Sequence, residues 1–282
     1  MISKQKSELS FEQFLVSEYF KFGSINKVFQ EHKYNLPISF AGYDRVLNKF
    51  GVIKSAGPNS KISESLYFLS LLANYKIPLE KAYHKFAPKN IQVSTNTLHR
   101  ILHYTRLGLT RRQGVILIIS PKNNSEKVLL GKDLSLTNSS LGNKGDLSLP
   151  MGHSKVGEPA RDSIARVLQN EVFTNEVIKN KFPWSIIPNH IKPIACVNVA
   201  DILVSVYKLE LPSKLKNFSS FKLEKLKFFD IHNLPSVSFR PGIKDALNFY
   251  ANPDSAINID KVPILDSELN TKIFALARQP VK

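Results

Sequence analysis

The stretch that decides the fold is Leu149-Pro-Met-Gly-His-Ser-Lys-Val-Gly-Glu-Pro-Ala-Arg-Asp-Ser-Ile-Ala-Arg-Val-Leu-Gln-Asn-Glu171. It begins with a loop that contains two glycines, and apolar residues then recur at helical spacing over residues 159–172. This pattern is typical of an amphipathic helix with one face packed inward. The sequence therefore predicts a loop and a helix, with Glu158 before the helix and Glu171 near its end. In the plainest interpretation, the charged side chains of this helix are only solvated.

The positions of the charged residues resemble the Nudix box, G-x(5)-E-x(7)-R-E-U-x-E-E-x-G-U, in which U is aliphatic. The residues that match the box are Gly152, Glu158, Arg166 and Glu171. A β-rich run before the box, residues 114–120, and the Phe-Phe and Leu-Pro pairs of residues 227–235 extend the resemblance to roughly residues 111–250. The resemblance implies an α+β fold, the α/β/α Nudix sandwich with a mixed sheet.

The resemblance also implies a Mg²⁺-dependent (or Mn²⁺-dependent) pyrophosphohydrolase that acts on nucleoside diphosphate derivatives. Glu171 takes the position of a metal ligand and catalytic residue, and Asn170 that of a weaker metal ligand. Glu224 resembles an acidic group that some members supply from outside the box, so it is a second candidate for catalysis and metal binding. The candidate ligand-binding residues are Gly152, His153, Glu158 and Arg166. In the family, the last two brace the loop against the helix.

Two of the three helix carboxylates of the box are missing. Val167 and Asn170 stand where the family has glutamates, and Phe173 replaces the closing glycine. Valine cannot bind Mg²⁺, which prefers oxygen ligands, and asparagine offers only a neutral oxygen. The expected rate deficit is on the order of 10² to 10⁴ unless a nearby acid such as Asp162 or Glu176 substitutes. The alternative function is therefore a catalytically weak or inactive Nudix ligand sensor.

Residues 10–107 are predicted to be helical, since apolar residues recur at spacings of three and four and Gly and Pro divide the pattern into short helices. Ser10 and Ser63 are predicted to cap two of these helices. Residues 38–47 and 93–102 align without gaps, and Ser39 and Ser94 in them are predicted N-caps of the third helix in two three-helix units.

This layout is that of a tandem helix-turn-helix, whose final helix lies in the major groove of DNA. The groove-facing candidates are Arg45, Thr95, Asn96, His99, Arg100 and His103. Joined to a ligand sensor, such a region would make a DNA-binding transcription regulator, and a homodimer is one expected assembly because these proteins often match two half-sites. The alternative is a plain helical scaffold or a dimerisation module.

The charge of the chain favours a partner that carries phosphate. The 282 residues include 39 Lys and Arg against 23 Asp and Glu, a formal net charge of +16. Residues 1–110 alone hold 15 against 7, so a nucleic-acid surface is expected in that half. A basic surface that only keeps the protein in solution is the alternative.

The length of the chain predicts two domains, a helical one over residues 1–110 and a Nudix-like one over residues 111–282. The single cysteine, Cys196, excludes an internal disulfide and a cysteine-built zinc site. The first residues lack an apolar signal core, and no run reaches the roughly 18 apolar residues of a membrane span. These observations predict a soluble, cytoplasmic protein without a membrane partner.

Overall fold

The computed structural model describes residues 9–57, 61–73, 78–86, 94–110, 112–134, 141–252 and 262–277. The helices in these residues are α1 (Phe11–Phe22), α2 (Ile25–Glu31), α3 (Phe40–Lys49), α4 (Lys61–Leu72), α5 (Leu79–Phe86), α6 (Thr95–Arg106), α7 (Ala160–Glu171), α8 (Thr174–Ile178), α9 (Ile243–Ala251) and α10 (Glu268–Ala277). The strands are β1 (Arg112–Pro121), β2 (Lys127–Asp133), β3 (Leu147–Ser148), β4 (Met151–Ser154), β5 (Ala195–Val199), β6 (Ile202–Leu211), β7 (Leu223–Asp230) and β8 (Ile264–Asp266).

The strands form two sheets. The larger sheet has the order β4-β1-β6-β5-β8, and β1 pairs in parallel with β6 from Arg112 opposite Ile202 to Pro121 opposite Leu211. Strand β4 is antiparallel to β1 and β5 is antiparallel to β6, so the sheet is mixed. The smaller sheet, β3-β2-β7, is antiparallel. The mixed sheet with helices on both faces confirms the α+β sandwich predicted from the sequence.

The central strand β1 is buried on both of its faces. Its residues Val115, Leu117 and Ile119 belong to one hydrophobic core, and Ile116 and Ile118 belong to the other. Successive side chains of a strand point to opposite faces, so a strand that is covered on both sides needs a continuous apolar run. The first core is completed by helices α1–α3, α7 and α8, and the second by α4–α6, α9 and α10.

The two three-helix units of the N-terminal region therefore contribute to different cores, on opposite faces of the larger sheet. Long-range hydrogen bonds accompany this packing: the Arg166 Nε donates to the Lys54 carbonyl at 2.7 Å, and the Ser63 hydroxyl donates to Asp201. The hydrophobic cores thus extend across residue 110. The division into a helical and a Nudix-like domain stays a prediction, and Arg111 lies outside the described residues.

The predicted caps of the two repeated helices are confirmed. The Ser39 hydroxyl accepts from the Gly42 amide at 3.1 Å and the Ser94 hydroxyl from the Thr97 amide at 3.2 Å, which satisfies a free N–H in each first turn. Val93, the first residue of the second repeat, lies outside the described residues. The predicted cap at Ser63 is wrong, because α4 begins at Lys61 and the buried Ser63 hydroxyl donates a hydrogen bond to Asp201.

The helices of the described residues are short, and the longest have 12 residues. A bilayer crossing needs about 20 apolar residues in helical form. None of the described helices has both the length and the apolar character that such a crossing requires.

Candidate functional site

The predicted brace between Glu158 and Arg166 is present and nearly fully buried. Arg166 donates from Nη1 to one Glu158 carboxylate oxygen at 2.8 Å and from Nη2 to the other, so the pair is bidentate. The same guanidinium donates to the carbonyls of Lys54 at 2.7 Å and His153 at 3.1 Å. Arg166 therefore fixes the loop before α7, strand β4 and the end of the N-terminal helical unit against one another.

The carboxyl of Glu158 is held in its charged form. Burial works against the charge, but hydrogen bonds from Arg166, the Ser163 hydroxyl and the Lys155 amide outweigh burial and lower the pKa of Glu158. A buried carboxylate that accepts several hydrogen bonds and faces a guanidinium is a stable structural unit. The Glu158–Arg166 pair is called the brace below.

Glu171, the residue at the end of α7 that also matches the box, has different surroundings. Its side chain is buried, and Oε2 accepts from the Met151 amide of β4 at 2.7 Å. Burial raises the pKa of Glu171 to about 7, although Lys222, the Met151 amide and Arg240 act in the opposite direction. Near neutral pH, Glu171 is therefore about half protonated, and one of its oxygens is already used by the backbone.

Val167 and Asn170 occupy the positions of the two missing glutamates. The first packs in the interior and the second forms a local hydrogen bond. Val167 is buried, and a Cβ added to Gly152 would lie 3.3 Å from its Cγ2, so the two chain segments are close. The Asn170 side chain donates from Nδ2 to the Arg166 carbonyl at 2.7 Å. A side chain at Gly152 would thus crowd Val167, which fills the space beside this glycine.

A cavity of about 660 Å³ lies at this end of α7 and is lined from both parts of the chain. Gly152, His153, Val167, Asn170 and Glu171 form its floor on β4 and α7. The cationic side chains that line it are Lys21, Lys27, Arg166, Lys222 and Arg240. Glu171 is the single carboxyl among its lining residues in the described part of the chain. The cavity is consequently basic.

The basic environment of the cavity affects the pKa of His153. Burial, together with the charges of Arg112, Arg240 and Lys222, lowers the pKa of its imidazole to about 4. The side chain is therefore neutral at physiological pH, and it can donate or accept a hydrogen bond but does not add a positive charge. The predicted place of His153 beside the glycine loop agrees with the structure, since it lines the cavity.

Glu224, the second predicted metal ligand and catalytic residue, does not line this cavity. It lies on β7 opposite Lys132, its side chain is 48% exposed, and the Lys225 ammonium is 4.0 Å away. Asp162 and Glu176, the nearest acids in sequence, are not lining residues either. The structure brings Gly152, His153, Arg166, Asn170 and Glu171 to one cavity and leaves the other acids outside it.

The residues present do not fit the Mg²⁺ or Mn²⁺ site that the sequence resemblance implies. Hard divalent cations need several oxygen ligands, commonly from carboxylates. The floor of the cavity offers one buried carboxyl that is engaged by an amide, one asparagine and a valine. In the described part of the chain, no three His, Cys, Asp or Glu side chains form a group that could hold a metal ion.

The candidate DNA-contacting residues lie on α3 and α6, as predicted. On α6, Asn96, Arg100 and His103 are exposed and share one face because they are four and three residues apart. Thr95 is half-buried, and His99 is paired with Glu80 of α5, with 2.5 Å between Nε2 and Oε1. The remaining candidate, Arg45 of α3, is exposed and borders a shallow groove with Phe40 and Asp44.

Sequence reasoning missed the cations of the cavity. Lys21 and Lys27 precede the box by more than 120 residues, whereas Lys222 and Arg240 follow it. Nothing in the spacing of the box points to them, because segments that are distant in sequence bring them to the cavity: α1 and α2 carry Lys21 and Lys27, and the segments before β7 and α9 carry Lys222 and Arg240. The one available signal was the excess of Lys and Arg in residues 1–110, which suggested a surface for nucleic acid instead.

Comparisons with known proteins give similarity of structure alone. No protein-family model matches the sequence, and no curated protein matches it. Among solved structures, a NUDIX hydrolase from Nitrosomonas europaea is 18% identical, covers 55% of this chain and 78% of its own, and has a TM-score of 0.38. An ADP-ribose pyrophosphatase from Streptococcus suis is 14% identical over 56% of this chain and 99% of its own, with a TM-score of 0.36.

A third similar structure is the NUDIX domain of NrtR from Shewanella oneidensis in complex with ADP ribose. It is 11% identical, covers 63% of this chain and 99% of its own, and has a TM-score of 0.37. Because the TM-scores are below 0.5, the functional interpretation depends on the geometry of the cavity.

Proposed function

We propose that the cavity beside Glu171 binds a phosphate-bearing small molecule, a nucleoside diphosphate derivative or a related compound, and that the protein does not hydrolyse it by the metal-dependent reaction of the family. The observation that carries this proposal is the composition of the lining, in which five Lys and Arg residues occur with a single carboxyl, that of Glu171, among the described residues. A ligand that carries phosphate is attracted to such a cavity, and a divalent cation is repelled.

The size and enclosure of the cavity support a small-molecule ligand. Small-molecule sites commonly have volumes of about 300–1,000 Å³, and this cavity has about 660 Å³. Apolar side chains such as Leu141, Val199 and Phe221 line it together with the cations. A molecule with a phosphate portion and a planar or apolar portion is therefore the best match.

Weak Mg²⁺-dependent hydrolysis is the competing function. It is supported by the brace and by Glu171 at the position of a family metal ligand. However, Val167 and Asn170 remove two carboxylates, and Glu224 does not replace them at the cavity. The loss corresponds to a rate deficit on the order of 10² to 10⁴. Binding without turnover is the function that needs no further group.

The decisive experiment measures binding and turnover on the same preparation. Calorimetric titration with ADP-ribose, ADP and AMP is expected to give saturable binding of at least one compound at micromolar to millimolar concentration. Incubation of the same compounds with Mg²⁺ or Mn²⁺ is expected to give no product above the uncatalysed rate. Both results together support a ligand-binding domain.

The opposite outcome is specific. If a diphosphate derivative is cleaved in the presence of Mg²⁺ and this turnover disappears in Glu171→Gln, the protein is a hydrolase and the proposal is wrong. The substitution preserves an oxygen that can accept from the Met151 amide, so a loss of turnover would report the carboxyl itself. A lack of binding by all three compounds would also contradict the proposed ligand class.

DNA binding by α6 is a second candidate function, and together the two would make a ligand-sensing regulator. The observation that favours it is the exposed row of Asn96, Arg100 and His103 on a helix whose N-terminus is capped by Ser94. Polar and basic side chains on one face of an exposed helix are the residues that reach base edges and phosphates in the major groove.

Gel-shift titrations at two salt concentrations test this function. Phosphate contacts make the affinity fall steeply with salt, and removal of one contact reduces the salt slope by about 1. Arg100→Gln is therefore expected to weaken binding and flatten the slope, whereas Lys192→Gln on an exposed loop is expected to do neither. Equal affinity of wild type and Arg100→Gln would exclude α6. A two-fold DNA site would in addition require a homodimer, which sedimentation measures.

A further inference from the structure

The cavity has two walls that carry lysines, and one wall belongs to the N-terminal helical region. Lys21 in the last turn of α1 and Lys27 in α2 line it from this region, together with Gly23 and Ser24 between the two helices. Lys222, directly before β7, lines it from the other part of the chain. The Lys21 ammonium lies 5.8 Å from the ring centroid of Phe221, so the two walls approach each other here.

The cations of the cavity differ in how far other groups neutralise them. Arg166 is paired with Glu158, and Arg240 with Asp133 at 2.6 Å. Lys21 donates to Glu18 at 2.5 Å, but Glu18 also accepts from His32. Among the described residues, no carboxylate lies within 4.0 Å of the ammonium of Lys27 or Lys222. Lys27 and Lys222 are therefore the cations available to a ligand.

The charge that these lysines provide is of the kind that a metal ion provides in a diphosphate site. Two phosphoryl groups in a partly enclosed cavity need positive charge nearby, because the surrounding protein screens their repulsion less than water does. Mg²⁺ commonly supplies it, held by carboxylates. Here two of the carboxylates of the box are missing from the cavity floor, and lysines are among the residues of its walls.

We propose that Lys27 and Lys222, assisted by Lys21, form a diphosphate subsite that binds its ligand without a divalent cation. This inference rests on the proposed function, since it assigns the phosphate end of the ligand in the same cavity. It also makes the N-terminal helical region a part of the binding site. The ligand then contacts α2 directly, and the apolar portion of the ligand extends toward Leu141.

The test uses inorganic pyrophosphate as the probe and the full chain. Calorimetric titration in the presence of EDTA is expected to show binding, and excess Mg²⁺, which binds pyrophosphate in solution, is expected to weaken this binding and not to strengthen it. Lys27→Gln and Lys222→Gln are each expected to weaken binding about tenfold, the effect of losing one charge-assisted contact. Lys27→Arg and Lys222→Arg, which keep the charge, are expected to retain most of the affinity.

Lys192→Gln is the matched control, because Lys192 is exposed and does not line the cavity. It removes the same charge and is expected to leave binding unchanged. Thermal unfolding of each variant verifies that the fold is retained. Binding that requires Mg²⁺, an absence of binding in EDTA, or glutamine variants that bind as tightly as wild type would each overturn the subsite.

The failure of this inference can be told apart from the failure of the proposed function. If ADP-ribose binds only when Mg²⁺ is present, the lysine subsite is wrong and the ligand-binding function remains. If pyrophosphate binds in EDTA through Lys27 and Lys222 but ADP-ribose, ADP and AMP do not bind, the subsite is right and the nucleotide class is wrong.

Discussion

The brace and the Glu171 carboxyl belong to the same loop and helix, but their charged groups have different partners. Glu158 and Arg166 use their charged atoms on each other and on backbone carbonyls. Glu171 is buried without a salt bridge among the described residues, and its neighbours Val167 and Asn170 are no longer acidic. The difference teaches that the spacing of the box can hold the loop against the helix while the cavity beside it lacks the set of carboxylates that a divalent cation needs.

The largest expected effect comes from breaking the brace. Arg166→Met leaves the Glu158 carboxylate buried without its cation and removes donors from the Lys54 and His153 carbonyls. Removing one partner of a buried ion pair costs about 3–5 kcal/mol, and chemical unfolding measures this loss.

Arg161→Met on the same helix is the control for the brace. Arg161 is less buried and bonds to the side chain of Asn189, so its loss is expected to cost less than about 1 kcal/mol. If both arginine variants lose the same free energy of unfolding, the brace is not the special structural unit that the comparison assumes.

The second prediction concerns the pH dependence that Glu171 imposes. Its pKa is about 7 in the folded protein and 4.5 ordinarily. Below pH 4.5 the carboxyl is protonated in both states and carries no penalty. As pH rises from 4.5 through 7, the unfolded chain releases the proton first, so stability is lost, by about 3 kcal/mol in total.

Glu171→Gln removes this titration. The free energy of unfolding of the variant minus that of wild type is therefore expected to increase from pH 4.5 to pH 7 and then to level off. Subtraction of the two curves eliminates other groups such as Glu158, whose lowered pKa acts in the opposite direction. A difference that stays flat with pH would show that Glu171 is not the buried, easily protonated group described above.

The third prediction concerns Gln169, which lies between Arg166 of the brace and Glu171 on α7. Gln169 is fully buried, and its amide accepts from the Ile53 amide at 2.9 Å and donates to the Gly51 carbonyl at 2.8 Å. Gln169→Leu leaves both backbone groups without a partner and is expected to cost about 2 kcal/mol. Gln30→Leu, at an exposed position of α2, is the control, with an expected change within about 0.5 kcal/mol. A small loss at Gln169 would mean that the helical unit is not tied to α7 here.

Local patterns in the sequence predicted the parts of the fold that depend on local structure. The apolar run of β1, the amphipathic spacing of α7 and the caps at Ser39 and Ser94 are all properties of short segments, and each was predicted. The brace was predicted as well, because the resemblance to the box implies that Glu158 and Arg166 hold the loop against the helix.

The rest of the site depends on contacts between distant segments. Lys27 and Glu171 are 144 residues apart in sequence and line one cavity only because α1–α3 pack on the same face of the sheet as α7. The buried state of Glu171 has the same origin. Glu224 is the opposite case. The resemblance predicted it to be a metal ligand at the site, but β7 places it at an exposed position.

The smallest expected effect comes from returning an acid to the floor of the cavity. Asn170→Asp puts a carboxylate where the family has one, beside Glu171 and opposite the lysines. If the cavity is an anion site, the added negative charge is expected to weaken pyrophosphate binding about fivefold, or about 1 kcal/mol. Asn170→Ala loses the amide without adding charge and is expected to bind within twofold of wild type, which calorimetry in EDTA can resolve. Tighter binding by Asn170→Asp once Mg²⁺ is added, with no such gain in wild type, would mean that one added acid is enough to make a cation site. The loss of a single carboxylate, and not the lysines of the cavity walls, would then explain the difference between the Glu171 site and a metal site.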